Sequence, residues 1–147
     1  MNLSERLSED MKQAMKDKNK VRLSVIRMVR AAMKNQEIDS GTSLTEEDVL
    51  ALIQKELKQR RDSLQAFESA GRADLVDEVK AEIEVLITYL PEQLSEDELR
   101  QLAQDIIRDL GAVSKADMGK VMGQLMPKIR GRADGKVAQT VVQSLLN

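Results

Sequence analysis

The sequence predicts an all-α protein, and three observations support that fold class. Apolar residues recur at spacings of three and four along almost the whole chain of 147 residues, which is the period of an α-helix. Only 1% of the residues are aromatic although 41% are hydrophobic, so Leu, Val, Ile, Ala and eight Met must build the core, which favours packed helices over sheets. The breaks in the apolar period coincide with Gly, Pro and helix-capping residues. We expect an N-terminal four-helix domain over residues 1–92, which contains a long antiparallel hairpin, and a small three-helix domain over residues 93–147.

The first two helices are predicted over about residues 4–17 and 20–37. The turn-forming run Asp17-Lys18-Asn19 separates them, and the second helix is expected to end before the turn-rich segment 39–43. Apolar positions at helical spacing define both helices: Leu3, Leu7, Met11 and Ala14 in the first, and Val21, Val25, Met28, Val29 and Met33 in the second.

The third and fourth helices are predicted to form the long hairpin. Thr45 is the expected N-cap of the third helix, with Asp48 as the acid of a capping box. The third helix places Leu50, Leu57 and Leu64 seven residues apart, and Arg60 lies between them. Arg60, like its neighbour Arg61, either snorkels, pairs with the fourth helix or binds an acidic group of a partner. The fourth helix has an apolar seam at spacings of three and four, formed by Val76, Val79, Ile83, Leu86 and Leu90. The Gly71 turn joins the two helices, and Pro91 is expected to stop the fourth.

Three shorter helices are predicted beyond Pro91. The first covers about residues 96–110, begins with a capping box of Ser95 and Glu98, and ends at Gly111. The second covers about residues 115–127 after Ser114, and the third covers about residues 135–146 after Asp134.

The composition excludes several reaction classes. The chain has no His and no Cys, so it can hold neither a Ser/His/Asp triad, nor a Cys nucleophile, nor a zinc site of imidazole and thiolate ligands. The clustered acids lie in first helical turns, where they favour the helix dipole. We therefore predict no catalytic residues, no metal site and no cofactor.

The location and assembly of the protein are predicted from equally simple patterns. The start of the chain has no apolar run of the signal-peptide type, and nowhere do about 18 apolar residues follow one another. We expect a cytoplasmic protein that does not contact a membrane. A monomer is expected because no strong heptad stretch lacks a partner within the chain.

Charge is unevenly distributed although the net charge is only −2. Residues 12–34 contain eight basic side chains against one acid, a local charge of +7, and residues 111–147 contain six against two, a local charge of +4. Such segregation favours a polyanionic partner, because basic side chains on phosphates release counterions. The alternative is that these are ordinary solvated helix faces, and both interpretations stay open.

The segment 114–136 is the least ordinary part of the chain. Gly119 and Gly123 lie four apart in a helix interior, where each Gly costs about 1 kcal/mol relative to Ala. Either another helix or a nucleic-acid backbone with Lys120 beside it would come close to this face. The run 131–136 is similar to a phosphate-binding loop at a helix start, although it is not a Walker motif. The alternative is a turn that ends in an Asp134 N-cap, and both interpretations can hold together.

Four segments together resemble the GatB/YqeY family over essentially the whole chain. They are Ser24-Val-Ile-Arg-Met-Val-Arg-Ala-Ala-Met-Lys34, Leu57-Lys-Gln-Arg-Arg-Asp-Ser-Leu64 with Glu68-Ser-Ala-Gly-Arg72, Tyr89-Leu-Pro-Glu-Gln-Leu-Ser95, and residues 114–136. The resemblance implies a small bacterial cytosolic protein with a helical domain followed by a three-helix domain. In the B subunit of the glutamine-dependent tRNA amidotransferase, the similar region is a tail that contacts tRNA.

The resemblance and the basic C-terminal stretch together indicate a nucleic-acid interface. Its candidate residues are Lys115, Gly119, Lys120, Gly123, Lys128, Arg130, Arg132 and Lys136. The expected function is non-catalytic binding of tRNA, or association with amidotransferase subunits or an aminoacyl-tRNA synthetase. Two alternatives stay open: an accessory subunit in glutamine-dependent amide transfer, within a carbon–nitrogen ligase, and a protein–protein interaction module that uses the 46–90 hairpin.

Overall fold

The computed structural model describes residues 1–146, and within that range the chain is all-α, without a strand. The predicted fold class is therefore confirmed at the level of secondary structure. Seven α-helices and one 3₁₀ turn follow one another in this part of the chain: α1 Leu3–Lys16, α2 Lys20–Ser40, α3 Glu46–Ser69, α4 Ala73–Ile87, α5 Glu96–Leu110, the 3₁₀ turn Lys115–Asp117, α6 Met118–Ile129 and α7 Gly135–Leu145. The chain separates into two compact units, Met1–Leu90 and a second one that begins at Pro91.

The first unit is organised around the hairpin of α3 and α4, which share the most extensive helix–helix contact in the chain. Helix α2 packs against both members of the hairpin, and α1 packs against α2 and α3. The Thr45 hydroxyl accepts from the Asp48 N–H while the Asp48 carboxylate accepts from the Thr45 N–H, so the predicted capping box opens α3. The fully buried side chains of this unit come from all four helices: Leu7, Val25, Ile26, Val29, Ile53 and Leu86.

Two helix ends in the first unit differ from the prediction. Helix α2 continues to Ser40 rather than stopping near residue 37, because Gly41 adopts a left-handed conformation (φ 71°) and its N–H caps the Glu37 carbonyl. Helix α4 was expected to continue to Leu90, directly before Pro91, but it ends three residues earlier, at Ile87. A proline disfavours the helical conformation of the residue before it, and successive i→i+3 hydrogen bonds tighten the segment that follows Ile87 into turns.

The second unit is a bundle in which α5, α6 and α7 each pack against the other two. Ser95 and Glu98 form the predicted capping box at the start of α5. The core contains Leu99, Ala103, Ile106, Val121, Leu125, Ile129, Ala138 and Val142.

Helix α6 also differs from the prediction at both ends. The chain begins with the 3₁₀ turn after Ser114, becomes α-helical at Met118 and runs through Pro127 to Ile129, rather than ending at residue 127. Proline has no N–H, so Pro127 cannot supply the helical donor to the carbonyl four residues earlier, that of Gly123.

Candidate nucleic-acid interface

Four of the predicted contact residues are exposed lysines of the second unit. Lys115 lies in the 3₁₀ turn, Lys120 and Lys128 lie on α6, and Lys136 lies in the first turn of α7. Within residues 1–146 none of the four forms an ion pair. Four positive charges are therefore presented to solvent without a carboxylate partner in the described structure.

The opposite charge lies on α5. Residues 91–110 contain six acids against two arginines, whereas residues 111–146 contain six basic residues against two acids. The arginines of α5 are paired with their own helix: Arg100 lies 3.5 Å from Glu96, and Arg108 lies 3.3 Å from Asp105. The bundle therefore has an acidic α5 side and a basic α6–α7 side, and a polyanion is favoured only at the second.

Gly119 and Gly123 lie one turn apart on the solvent-exposed face of α6, together with Pro127. A Cβ atom placed on either glycine would meet nothing within 4 Å in the described part of the chain. No other helix of the second unit therefore packs closely against the two glycines, contrary to the first alternative. The face instead leaves helix backbone accessible beside Lys120.

The loop before α7 has a structural role. Arg132 donates from Nε to the Glu92 carbonyl (3.0 Å) and accepts from the Leu94 N–H through its own carbonyl (2.9 Å), and the Gln93 amide donates to the Gly131 carbonyl (2.7 Å). Gly131 is buried and has a φ of 77°, a conformation that favours glycine. Arg132 is thus half-buried and holds the segment before α5, rather than projecting freely like the lysines.

The N-terminus of α7 is capped from within the chain. The Asp134 carboxylate accepts from the Lys136 N–H over 2.9 Å, so the N-cap interpretation of this loop is confirmed. A carboxylate already occupies the position that a phosphate would take in a phosphate-binding loop. Lys136 contributes to the basic surface through its exposed side chain, and Arg130 is exposed at the C-terminal end of α6.

The start of α6 is arranged similarly. The Asp117 carboxylate accepts from the backbone N–H groups of Val113 (3.1 Å) and Ser114 (3.5 Å). These hydrogen bonds, with a smaller contribution from nearby Lys120, lower the pKa of Asp117 below its usual value. The aspartate therefore stays charged and fixes the turn that presents Lys115.

The basic stretch of the first unit is only partly solvated. Arg22 pairs with Asp10 at 3.3 Å, and Arg30 donates to the Met11 sulfur at 2.9 Å. The remaining basic side chains of this stretch are exposed on α1, α2 and the turn between them: Lys12, Lys16, Lys18, Lys20, Arg27 and Lys34.

Two kinds of functional element are absent from residues 1–146. No group of three or more acidic side chains is arranged to hold a metal ion in this range. No helix of the same range is long and apolar enough to span a bilayer.

The fold and the site define an all-α protein whose C-terminal unit presents a lysine-lined surface. The chain belongs to the YqeY family: the family model described as Yqey-like protein matches residues 4–146. The expected family membership is thus confirmed over nearly the whole chain.

Curated relatives are similar to part of the chain. The mitochondrial protein named "Altered inheritance of mitochondria protein 41" is 37% identical over 84 residues in Pyrenophora tritici-repentis, which is 57% of this chain and 46% of that protein. The protein of the same name in Lachancea thermotolerans is 39% identical over 85 residues, again 57% of this chain and 46% of that protein. In Saccharomyces cerevisiae the identity is 33% over 85 residues, with the same two coverages. The chain thus spans just under half the length of these relatives.

Proposed function

We propose that the chain is a non-catalytic RNA-binding protein, and that it holds the phosphate backbone of a structured RNA such as tRNA on the α6–α7 surface. The observation that carries this proposal is the set of four exposed lysines without ion pairs in the 3₁₀ turn, α6 and α7, whereas the acids of this unit are concentrated on α5. Unpaired lysines lose little on contact with phosphate and release its counterions, which supplies affinity without sequence preference.

The surrounding chemistry favours a folded RNA over an unfolded single strand. Single-strand binders stack bases on aromatic side chains, and the two aromatic residues of this chain, Phe67 and Tyr89, both belong to the first unit. Recognition by the second unit must therefore depend on shape, backbone charge and ribose contacts. Pro127 has no N–H to donate to the Gly123 carbonyl, and we propose that a ribose 2′-hydroxyl donates to this carbonyl instead.

The test measures binding of a labelled tRNA to the full chain by fluorescence anisotropy between 50 and 200 mM salt. Four phosphate contacts predict a slope of the logarithm of the association constant against the logarithm of salt concentration of roughly −3 to −4. The double variant Lys120→Glu with Lys136→Glu is expected to bind at least tenfold more weakly and to reduce this slope by about 2.

The matched control reverses two exposed lysines of the hairpin, Lys55→Glu and Lys80→Glu, which changes the net charge by the same amount. If tRNA does not bind at 50 mM salt, or if the control loses as much affinity as the test variant, the proposal is wrong. Arg132 is left unchanged in both variants because its contact with the Glu92 carbonyl is structural.

We also propose that tRNA-dependent amide transfer is the context of this binding, an idea that rests on the resemblance of residues 114–136 to the amidotransferase tail. Adding the chain to the amidotransferase subunits is expected to raise the rate of glutamine-dependent product formation. An unchanged rate would show that the accessory-subunit alternative is wrong, and it would not affect the proposal of RNA binding.

The remaining expectations about the whole protein stay predictions. They are that the four-helix and three-helix units fold as separate domains, that the protein is a bacterial, cytoplasmic monomer, and that an aminoacyl-tRNA synthetase is a possible partner. The relatives named above are mitochondrial proteins.

A further inference from the structure

Arg60 is a charged residue in the core of the hairpin. It lies on α3 between the apolar positions Leu57 and Leu64, and only 7% of it is exposed, which makes it the one buried charged residue of the described chain. Burying a guanidinium costs several kcal/mol unless its contacts compensate. An apolar side chain at this position would fill the seam without that cost.

The contacts of Arg60 compensate its charge but leave one donor unused. Its Nη1 donates to the Glu56 carboxylate (2.6 Å), and its Nη2 donates to the Met28 sulfur (3.2 Å). Its Nε lies 3.7 Å from the Glu82 carboxylate and makes no hydrogen bond within the described residues, although it is shielded from solvent. The Nε of this buried side chain therefore takes part in an ion pair with Glu82 but donates no hydrogen bond.

Arg60 lines a groove of about 370 Å³ between α2, α3 and α4. The apolar part of the groove consists of Met28, Phe67, Leu75 and Val79, and Met28 is 47% exposed there. Glu78 and Glu82 lie on the α4 side. The volume falls in the lower part of the range for ligand pockets, which suits a few apolar side chains rather than a folded domain.

The charge of the groove selects the class of partner. Two carboxylates line the groove, those of Glu78 and Glu82, against the single positive charge of Arg60. The lining residues thus carry a net charge of −1, which repels phosphates, so an RNA or an anionic membrane is disfavoured here. A cationic group beside apolar side chains complements the groove.

We propose that this groove is the docking site for a basic amphipathic segment of a partner protein. Apolar side chains of the segment pack against Met28, Phe67 and Leu75, and its Lys or Arg side chains pair with Glu78 and Glu82. Laying one face of an amphipathic helix into an apolar groove is a recurring mode of peptide recognition, and the site is independent of the lysine surface on the second unit.

The test selects ligands from a displayed library of random 16-residue peptides with the full chain as bait. Enriched peptides are expected to carry a net positive charge and apolar residues at spacings of three and four. One enriched peptide is then synthesised with a fluorescent label, and its dissociation constant is measured for the wild type and two variants.

The two variants form a matched pair on α4. Glu78→Lys reverses a charge that lines the groove, and Asp77→Lys makes the same change one residue earlier, at an exposed position outside the groove. The peptide is expected to bind Glu78→Lys at least tenfold more weakly and Asp77→Lys within twofold of the wild type. Thermal unfolding checks that both variants fold, and tRNA binding is expected to be the same in both, which separates this proposal from the preceding one.

Several outcomes would overturn the docking proposal. They are a library without enrichment, enrichment of acidic or uncharged peptides, equal losses in the two variants, and displacement of the peptide by tRNA. A second copy of this chain is the other candidate to fill the groove. Analytical ultracentrifugation of the wild type and Glu78→Lys tests it by measuring their oligomeric states. If the wild type is a dimer that Glu78→Lys dissociates, the groove is a self-association surface and the proposed partner is wrong.

Discussion

The hydroxyl of Tyr89 donates a hydrogen bond of 2.5 Å to the carboxylate of Asp10, and so joins two residues that lie 79 positions apart in the chain. Asp10 also pairs with Arg22 at 3.3 Å, and the Arg6 guanidinium lies 4.6 Å above the centre of the Tyr89 ring. Arg6 donates in addition to the Thr88 carbonyl (2.6 Å). This cluster attaches α1 and α2 to the chain just after α4, where the four-helix unit closes.

Replacing Tyr89 by Phe tests the strength of that closure. The change keeps the ring, which is 96% buried, beneath Arg6 and removes only the hydroxyl. A hydrogen bond to a charged acceptor contributes about 1.5–3 kcal/mol, and Asp10 keeps Arg22, so we expect the free energy of unfolding to fall by about 1–2 kcal/mol. Urea denaturation at pH 7 with an unchanged m-value measures it, and a loss below about 0.5 kcal/mol would show that the hydrogen bond contributes little to closure.

The same residue predicts how stability depends on alkaline pH. Burial, followed by the hydrogen bond to Asp10, raises the pKa of Tyr89 well above its ordinary value of 10. The folded state therefore holds the phenol proton more tightly than the unfolded state does, and the stability from this group is complete below pH 10 and falls as the pH rises further. The wild type should lose stability above pH 10 more steeply than Tyr89→Phe. Lysine titration is common to both proteins, so parallel curves would contradict the shift.

The sequence was sufficient to predict structural features that depend only on residues close together in the chain. The Thr45–Asp48 and Ser95–Glu98 capping boxes and the Asp134 N-cap each depend on residues at most three positions apart, and each forms as predicted. The end of α2 was missed because Asp39 and Ser40 are common in turns, whereas the left-handed Gly41 decides where the helix stops.

Features that depend on distant residues could not be predicted in the same way. Tyr89 and Asp10 have no sequence signal that relates them, because their contact arises only when α1 packs beside the end of the hairpin. The sequence left three possibilities for Arg60, and in the structure Arg60 pairs both with Glu56 of its own helix and with Glu82 of α4. The open face of Gly119 and Gly123 likewise required knowledge of which helices surround α6.

Removing the charge of Arg60 and removing that of Glu82 should change the free energy of unfolding by different amounts. Arg60→Met removes the buried charge and leaves Glu56 and Glu82, which retain some exposure and can be hydrated, so we expect the free energy of unfolding to change by less than about 1 kcal/mol. Glu82→Gln leaves the buried guanidinium with Glu56 alone and should cost about 1–3 kcal/mol. Chemical denaturation of both variants at pH 7 makes the comparison. A loss above about 3 kcal/mol in Arg60→Met would mean that the ion pairs hold the hairpin together, rather than being tolerated by it.

Gly123→Ala separates the stability of α6 from its proposed contact with RNA. A Cβ atom at this position meets nothing within 4 Å in the described structure, so the substitution should raise the free energy of unfolding by about 0.5–1 kcal/mol through helix propensity alone. The same change at Gly111, whose φ is 64°, should lower the free energy of unfolding by about 1 kcal/mol, because an L-residue is strained there.

If RNA approaches the α6 backbone closely, Gly123→Ala should weaken tRNA binding several-fold although the protein is more stable. Thermal denaturation and tRNA anisotropy on the same preparations measure both effects. A stabilised variant with unchanged tRNA affinity would restrict the RNA contact to the lysine side chains, since added bulk at the glycine face would then have no effect on binding.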